Sequence, residues 1–250
     1  MSHTPNNISI NILYEDPQII VCVKPPGIAT QSRSLAAPDM VRLLKKHLYT
    51  GRLAGEPYLA VIHRLDQPVS GILVFAKTPA AARELNRQLQ ASDSQSFGKY
   101  YRALTAKKPP QNSGVLENYM CKEARSNTSR ICSPDTPGAK LARLEYQVVD
   151  DSFGWGRGIS ENPPSPSEAV NLLIHIFTGR HHQIRVQLAN IGCPIIGDTK
   201  YNPQSLGNMG KTDAWQQICL CAYKLSFLHP KTKKPMTFEL DSFNGHGRRL

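Results

Sequence analysis

A chain of 250 residues can bury a core of its own, as one large domain or two small ones. Its 40% hydrophobic content is ordinary, but 30 Lys and Arg against 19 Asp and Glu leave a net charge of +11, which favours an anionic partner and nucleic acid first. No apolar run is long enough to cross a bilayer and residues 1–7 hold no apolar signal core, so export and membrane insertion are disfavoured and the cytoplasm is expected.

Along the chain, residues 19–23 form a short β-branched run that stops at Lys24-Pro25-Pro26-Gly27, which reads as a buried strand ending in a turn. Met40, Leu43, Leu44, His47 and Leu48 repeat at helical spacing, with Arg42, Lys45 and Lys46 on a basic outer face. Apolar runs at 58–62 and 72–77 read as strands flanking the polar stretch 63–71. Thr78 followed by Pro79 opens a helix, a capping residue and then proline at the first helical position, with Ala82, Leu85 and Leu89 inward.

Residues 99–106 alternate as a strand, and 141–149 with 169–177 read as a strand pair. Between that pair, the Gly-, Pro- and Ser-rich 150–167 reads as a long exposed hairpin loop. From His181 the pattern turns helical through Ile184, Leu188 and Ile191 until Gly192 and Pro194 end it. Strands at 219–227 and 236–240 follow, around His229-Pro230.

The six cysteines make no Cys-x-x-Cys and read as small buried thiols in a reducing compartment; period-two spacing puts Cys219 and Cys221 on one strand face. With no repeat and no linker, the chain reads as one domain over 1–250, its core at about 10–240. The class is α/β of the α+β kind: a single mixed, largely antiparallel sheet with flanking helices.

Several chemistries drop out. The stretch 207–212 ends like a phosphate-binding loop, but Ser205 stands where that loop needs its first glycine. His63-Arg64-Leu65-Asp66 lacks the order and the glycine-rich loop of a kinase. No His-x-Glu with a later Cys-x-x-Cys exists, which removes the zinc base deaminases. His175, His181 and His182 have no nearby carboxylate in sequence, and Arg180 and Arg185 would repel a cation, so no metal is expected.

Two segments remain. His63-Arg64-Leu65-Asp66-Gln67-Pro68-Val69-Ser70-Gly71 puts a carboxylate on a polar connection between apolar strands, a usual way to fix a reactive group. Thr178-Gly179-Arg180-His181-His182-Gln183-Ile184-Arg185 concentrates donors on a helix and its N-terminal turn. The plain alternatives are a turn held by an Arg64–Asp66 pair and a solvated basic helix.

Together these segments resemble the signature of the pseudouridine synthases of the large-subunit ribosomal RNA type. His63-Arg64-Leu65-Asp66 with Ser70-Gly71 is similar to that family's catalytic motif, and Lys99-Tyr100-Tyr101-Arg102-Ala103-Leu104 to its second. Gly179-Arg180-x-His182-Gln183-Ile184-Arg185 is similar to the third. Lys24-Pro25-x-Gly27, Cys193-Pro194-Ile195-Ile196-Gly197-Asp198-x-x-Tyr201, Leu220-Cys221-Ala222 and Phe227-Leu228-His229-Pro230 extend the match over about 10–240. Val69 stands where many members have Thr or Glu, Gln187 replaces a common His and Cys221 another; these departures are expected to bear on the choice of RNA. The small N-terminal S4-like domain of many relatives is expected to be absent, since the match begins almost at once.

The resemblance implies the pseudouridine synthase catalytic fold and isomerisation of uridine in structured ribosomal or transfer RNA by a monomer. The reaction gains and loses no atom, so no cofactor is implied. Asp66 is then the catalytic carboxylate, attacking the anomeric carbon or removing a ribose proton, and both routes stay open. By motif position Arg185 is its partner, with Arg180 second, and Tyr101 supplies a ring face for the uracil. His63, Arg64, Arg180, His182 and Gln183 are the implied RNA-binding residues. Two other readings compete: a non-catalytic RNA-binding or ribosome-assembly protein on the same fold, and a hydrolase built on Asp66 and His63.

Overall fold

Among the described residues, the β-branched and aromatic runs build twelve strands, with three helices against them. The structure is a computed structural model that describes residues 10–34, 37–49, 55–91, 96–150, 169–202, 217–243 and 247–249. The strands are β1 Asn11–Glu15, β2 Ile19–Lys24, β3 Ala60–Val61, β4 Ser70–Ala76, β5 Phe97–Thr105 and β6 Ser113–Glu123. Then follow β7 Thr128–Cys132, β8 Lys140–Val149, β9 Val170–Ile176, β10 Leu220–Leu228, β11 Pro235–Leu240 and β12 Gly247–Arg249. The helices are α1 Met40–Leu48, α2 Pro79–Gln90 and α3 Gln183–Asn190.

One sheet runs β1-β2-β4-β10-β5-β9-β8-β6-β7, with β3 beside β4 and β11 between β10 and β12. Of the described pairings only β10 against β4 is parallel, so the sheet is mixed and largely antiparallel. That junction explains Ser70-Gly71. Gly71 has φ +132° and pairs with Ala222, and a Cβ there would sit 2.6 Å from the Ala222 nitrogen. Only glycine lets the strand that follows Asp66 approach β10 so closely.

All of β4 is buried, consistent with its unbroken apolar run. Met40 and Leu44 of α1 and Ile184 and Leu188 of α3 pack with Leu73, Phe75 and Tyr101 in one apolar cluster. Ala81, Ala82 and Leu85 of α2 pack with Val74, Phe227 and Phe238 in the other. The Thr78 hydroxyl accepts from the Ala81 N–H at 3.1 Å, a cap worth about 1 kcal/mol. The Asp39 carboxylate caps α1 from the Arg42 N–H at 2.9 Å. Lys45, Lys46 and His47 fill the last turn of α1, where cations complement the helix dipole.

Three expectations need amendment. The run at 58–62 yields only the two-residue β3, because its partner strand β4 meets it over Ala60 and Val61 alone. Cys219 and Cys221 do not share a face: Cys219 precedes β10, donates its N–H to the Ile196 carbonyl and packs in the first cluster, whereas Cys221 packs in the second. The β6–β7 hairpin, together with β1 and β12, adds to the strands read from the sequence. Of the stretch read as a hairpin loop, 151–167 lies outside the described residues, as does the 207–212 near-motif.

Candidate active site

Asp66 lies on the connection between β3 and β4, and the chain on both sides of it is clamped. Leu65 is buried in the first cluster, and its N–H donates to the Thr30 hydroxyl, which donates back to the Leu65 carbonyl, both at 3.1 Å. On the other side the Gln67 carbonyl accepts from Lys24 Nζ at 3.0 Å and from the Gly27 N–H at 2.9 Å. Lys24 is wholly buried and also donates to the carbonyls of Pro25 and Ile28, at 2.9 and 2.7 Å. Burial drives its pKa down to about 7, against the pull of the Asp66 charge. The Lys-Pro turn is thus the seat of the Asp66 loop.

Arg185, in the first turn of α3, is only 4% exposed and reaches Asp66 Oδ2 from Nη1 at 3.4 Å. Its main partner is another carboxylate. Asp198 accepts from Nε at 2.8 Å and from Nη2 at 2.7 Å, in the fork geometry that suits a guanidinium. Burial opposes the charge on Arg185, but the hydrogen bonds and charge of Asp198, and then those of Asp66, raise its pKa. Asp198 Oδ1 also accepts from the N–H groups of Lys200 and Tyr201, at 3.0 and 3.2 Å. Gly197 just before it has φ +76° beside the Gln217 backbone, which a Cβ would strike.

The Tyr201 ring lies under the guanidinium, its centroid 5.2 Å from Arg185 Cζ. Its hydroxyl accepts from the Ser129 N–H at 2.8 Å, leaving its own proton for His182 Nδ1, also 2.8 Å away. Burial and the neighbouring Arg185 lower His182 to about 3, so the ring is neutral. With Nδ1 accepting, the ring proton sits on Nε2, which faces Asp66 Oδ2 at 3.6 Å. His182 itself has φ +54° at the N-cap of α3, the backbone twist that turns its ring to the carboxylate.

These groups open on a cavity of about 1120 Å³. Among the described residues its charged lining is Arg64, Lys99, Lys122, Arg180, Arg185 and Lys200, and one carboxylate, Asp66. Tyr101 reaches it from β5 and is 7% exposed. Burial, and then the Asp66 charge, push its phenol above the ordinary value. His63 lines the cavity with its ring edge toward Phe97, at 5.6 Å between centroids, and Arg64 lies exposed beside it.

The structure therefore gathers Asp66, Tyr101, Arg185, His63, Arg64, Arg180 and His182 around one space. Gln183 does not join them. It is buried, and its Oε1 accepts from the Thr178 hydroxyl at 2.7 Å and the Arg180 N–H at 3.0 Å, while Nε2 donates to the Arg143 carbonyl at 3.1 Å. Its amide shapes the turn into α3 and is spent within the protein. Val69, Gln187 and Cys221, expected to bear on RNA choice, are all buried; Gln187 ties α3 to β6 through Asn118 Oδ1 at 2.8 Å. Asp198, Tyr201 and Lys24 had no role read from sequence, although the Gly-Asp-x-x-Tyr and Lys-Pro spacings marked where to look.

Solved structures show the fold. The human protein RNA pseudouridylate synthase domain containing 4 superposes with TM-score 0.65 at 21% identity, over 91% of this chain and 86% of its own. Human RNA pseudouridylate synthase domain containing 1 gives TM-score 0.63 at 20% identity, over 92% and 82%. The fold is that of a pseudouridine synthase. The family model described as RNA pseudouridylate synthase matches residues 18–190. An RNA pseudouridine synthase of Aquifex aeolicus is 31% identical over 95% of this chain and 71% of its own length. The dual-specificity RNA pseudouridine synthase RluA of Escherichia coli is 28% identical, over 91% of each. The chain belongs to the RNA pseudouridylate synthase family, and is an isomerase that acts on RNA.

Proposed function

We propose that this enzyme isomerises uridine in structured ribosomal or transfer RNA with Asp66 as the group that acts on the ribose. One observation carries the assignment: among the described residues a single carboxylate, 29% exposed at its side chain, opens into a cavity whose other charged lining is six Lys and Arg. Phosphates would be drawn to the walls, and the one anionic group would be left for the sugar.

The target uridine has to leave its stack, which costs a few kcal/mol and least in a loop. Once inside, Asp66 attacks the anomeric carbon, or takes a ribose proton, as the bond to the base breaks. The base turns and its carbon bonds to the anomeric carbon as the Asp66–sugar bond breaks or as the ribose proton returns. The base carbon's proton leaves to solvent and the freed ring nitrogen takes one up, so no atom is gained or lost. Arg185 holds one Asp66 oxygen without satisfying it, because its Nε and Nη2 are committed to Asp198. His182 Nε2 faces the same oxygen and limits its rotation. Tyr101 offers a ring face to the uracil; its raised pKa disfavours it as a base at neutral pH. Arg64 and Arg180 take phosphate, and the whole acts as a single-domain monomer in the cytoplasm.

The test is to map pseudouridine by carbodiimide-dependent reverse-transcription stops in RNA from cells with and without the gene. Stops that vanish with the gene and return with the purified protein support the assignment. Tight RNA binding with no change in stops would instead mark a non-catalytic RNA-binding protein.

A further inference from the structure

Lys99 is a buried cation of the cavity with no carboxylate partner among the described residues. It lies on β5 two residues before Tyr101, so both side chains share a strand face and reach the same space. Its side chain lines the cavity although the residue is only 8% exposed. Among the described residues no carboxylate, carbonyl or hydroxyl bonds its ammonium. A Cβ built on Gly179 would lie 3.7 Å from Nζ, which places the ammonium against the β9–α3 connection.

The charge felt most strongly there is the wrong one. Burial and then Arg180 lower Lys99 to about 8. Arg180 spends Nε on the Leu141 carbonyl, at 2.8 Å, and it too has no carboxylate partner among the described residues. Beside them His63 buries both ring nitrogens with no partner, and burial and Lys99 hold it neutral, near 3. Two cations and an unsatisfied imidazole in one recess cost stability unless something anionic completes them. By contrast Arg185 has Asp198 and Asp66, and Lys24 has three carbonyls.

We propose that Lys99, with Arg180 beside it, seats one backbone phosphate of the flipped nucleotide or its neighbour, making Lys99 a substrate-positioning residue distinct from the Asp66 centre. A phosphate fits better than a base edge, because it brings the full negative charge that two adjacent cations lack and accepts from both at once. His63 donates a single ring N–H to the same group when neutral. The phosphate would help hold the sugar over Asp66, in the cavity that Lys99 and Tyr101 both line. The assignment rests on the protein acting on RNA, as its family does.

The test compares wild type with Lys99→Met and Lys99→Arg on a target-bearing RNA stem-loop, over a salt series and under single-turnover conditions. Lys99→Met should raise Kd about tenfold or more, the loss expected for one charge-assisted contact. It should also lower the slope of log affinity against log salt by about 0.7–0.9, one phosphate's worth. The maximal rate at saturating RNA should fall by a smaller factor than affinity does, because the held sugar is less well placed over Asp66, and Lys99→Arg should recover most of both. Without RNA, Lys99→Met should melt at or above the wild-type temperature, because an unpaired buried charge has gone.

A lower melting temperature with unchanged affinity would make Lys99 structural and overturn the proposal. Unchanged affinity with a lost maximal rate would do so too, placing the ammonium on the departing base. If the wild type made no pseudouridine but Lys99→Met still flattened the salt slope, the phosphate seat would stand and the proposed substrate would fail.

Discussion

Replacing Asp198 by Asn tests whether Arg185 works because it is held. Asp198 accepts from Nε and Nη2 at 2.8 and 2.7 Å, its carboxylate is 0% exposed, and the guanidinium it holds is 4% exposed. An amide keeps one acceptor and turns an NH2 group onto the other N–H. The guanidinium's one charged partner is then Asp66, at 3.4 Å. Breaking a buried pair from one side costs about 3–5 kcal/mol. In a chain of 250 residues each kcal/mol moves Tm by about 2–4 °C, so the expected fall is roughly 6–20 °C. The rate should fall further than stability explains. A guanidinium released from Asp198 is no longer held in its place beside Asp66, and losing one such placed donor costs about 10²–10³ in turnover. Asp198→Glu, which keeps the charge, should recover part of both losses. The assays are thermal unfolding and tritium release from uracil-5-tritiated RNA at saturating substrate, where the folded fraction is complete. An Asp198→Asn protein with wild-type Tm and turnover would refute the reasoning.

Three further outcomes follow from the same geometry. Arg185→Ala should lose turnover far more than RNA affinity, since five other cations line the cavity but among the described residues only Arg185 hydrogen-bonds the Asp66 carboxylate; filter binding that falls as steeply as turnover would make it a phosphate contact. His182 titrates near 3 when folded and near its ordinary 6.5 when unfolded, so the unfolded chain gains a proton first and stability falls as pH drops through that window, by at most about 1.4 kcal/mol per pH unit. His182→Asn should flatten that part of the curve measured by urea unfolding, and an unchanged slope would contradict the neutral assignment. RNA affinity should weaken steeply between about 50 and 200 mM salt, because phosphate contacts release counterions, and a flat response in the same stem-loop assay would remove phosphate from the account.

What could be read beforehand was whatever is written locally. The Thr78-Pro79 cap, the unbroken apolar run of β4 and the glycine after α3 each report their own surroundings, and each formed where expected. Asp66 and Arg185 stood out through motif resemblance, not through spacing, since 119 positions separate them. The β6–β7 hairpin escaped notice because β6 mixes exposed Glu117 and Glu123 with Asn118 and offers no strong apolar alternation, yet it delivers the Ser129 N–H to Tyr201. The use made of Gln183 was also hidden. A glutamine amid basic residues looks like a ligand contact until its two polar atoms are traced to Thr178, Arg180 and Arg143. His229 tells the same story: its Nε2 meets Asp16 Oδ2 at 2.8 Å and joins the β10–β11 turn to the β1–β2 turn, so a motif histidine serves the fold.

The central claim is that the Asp66 carboxylate performs the chemistry on the sugar. Its most direct test is single-turnover tritium release from uracil-5-tritiated target RNA by wild type and Asp66→Asn, at equal saturation and with folding checked by melting. A neutral amide can neither attack the anomeric carbon nor take a ribose proton, so Asp66→Asn should show wild-type affinity, a near-native Tm and no tritium released above background. Release by Asp66→Asn at a rate near that of the wild type would contradict it.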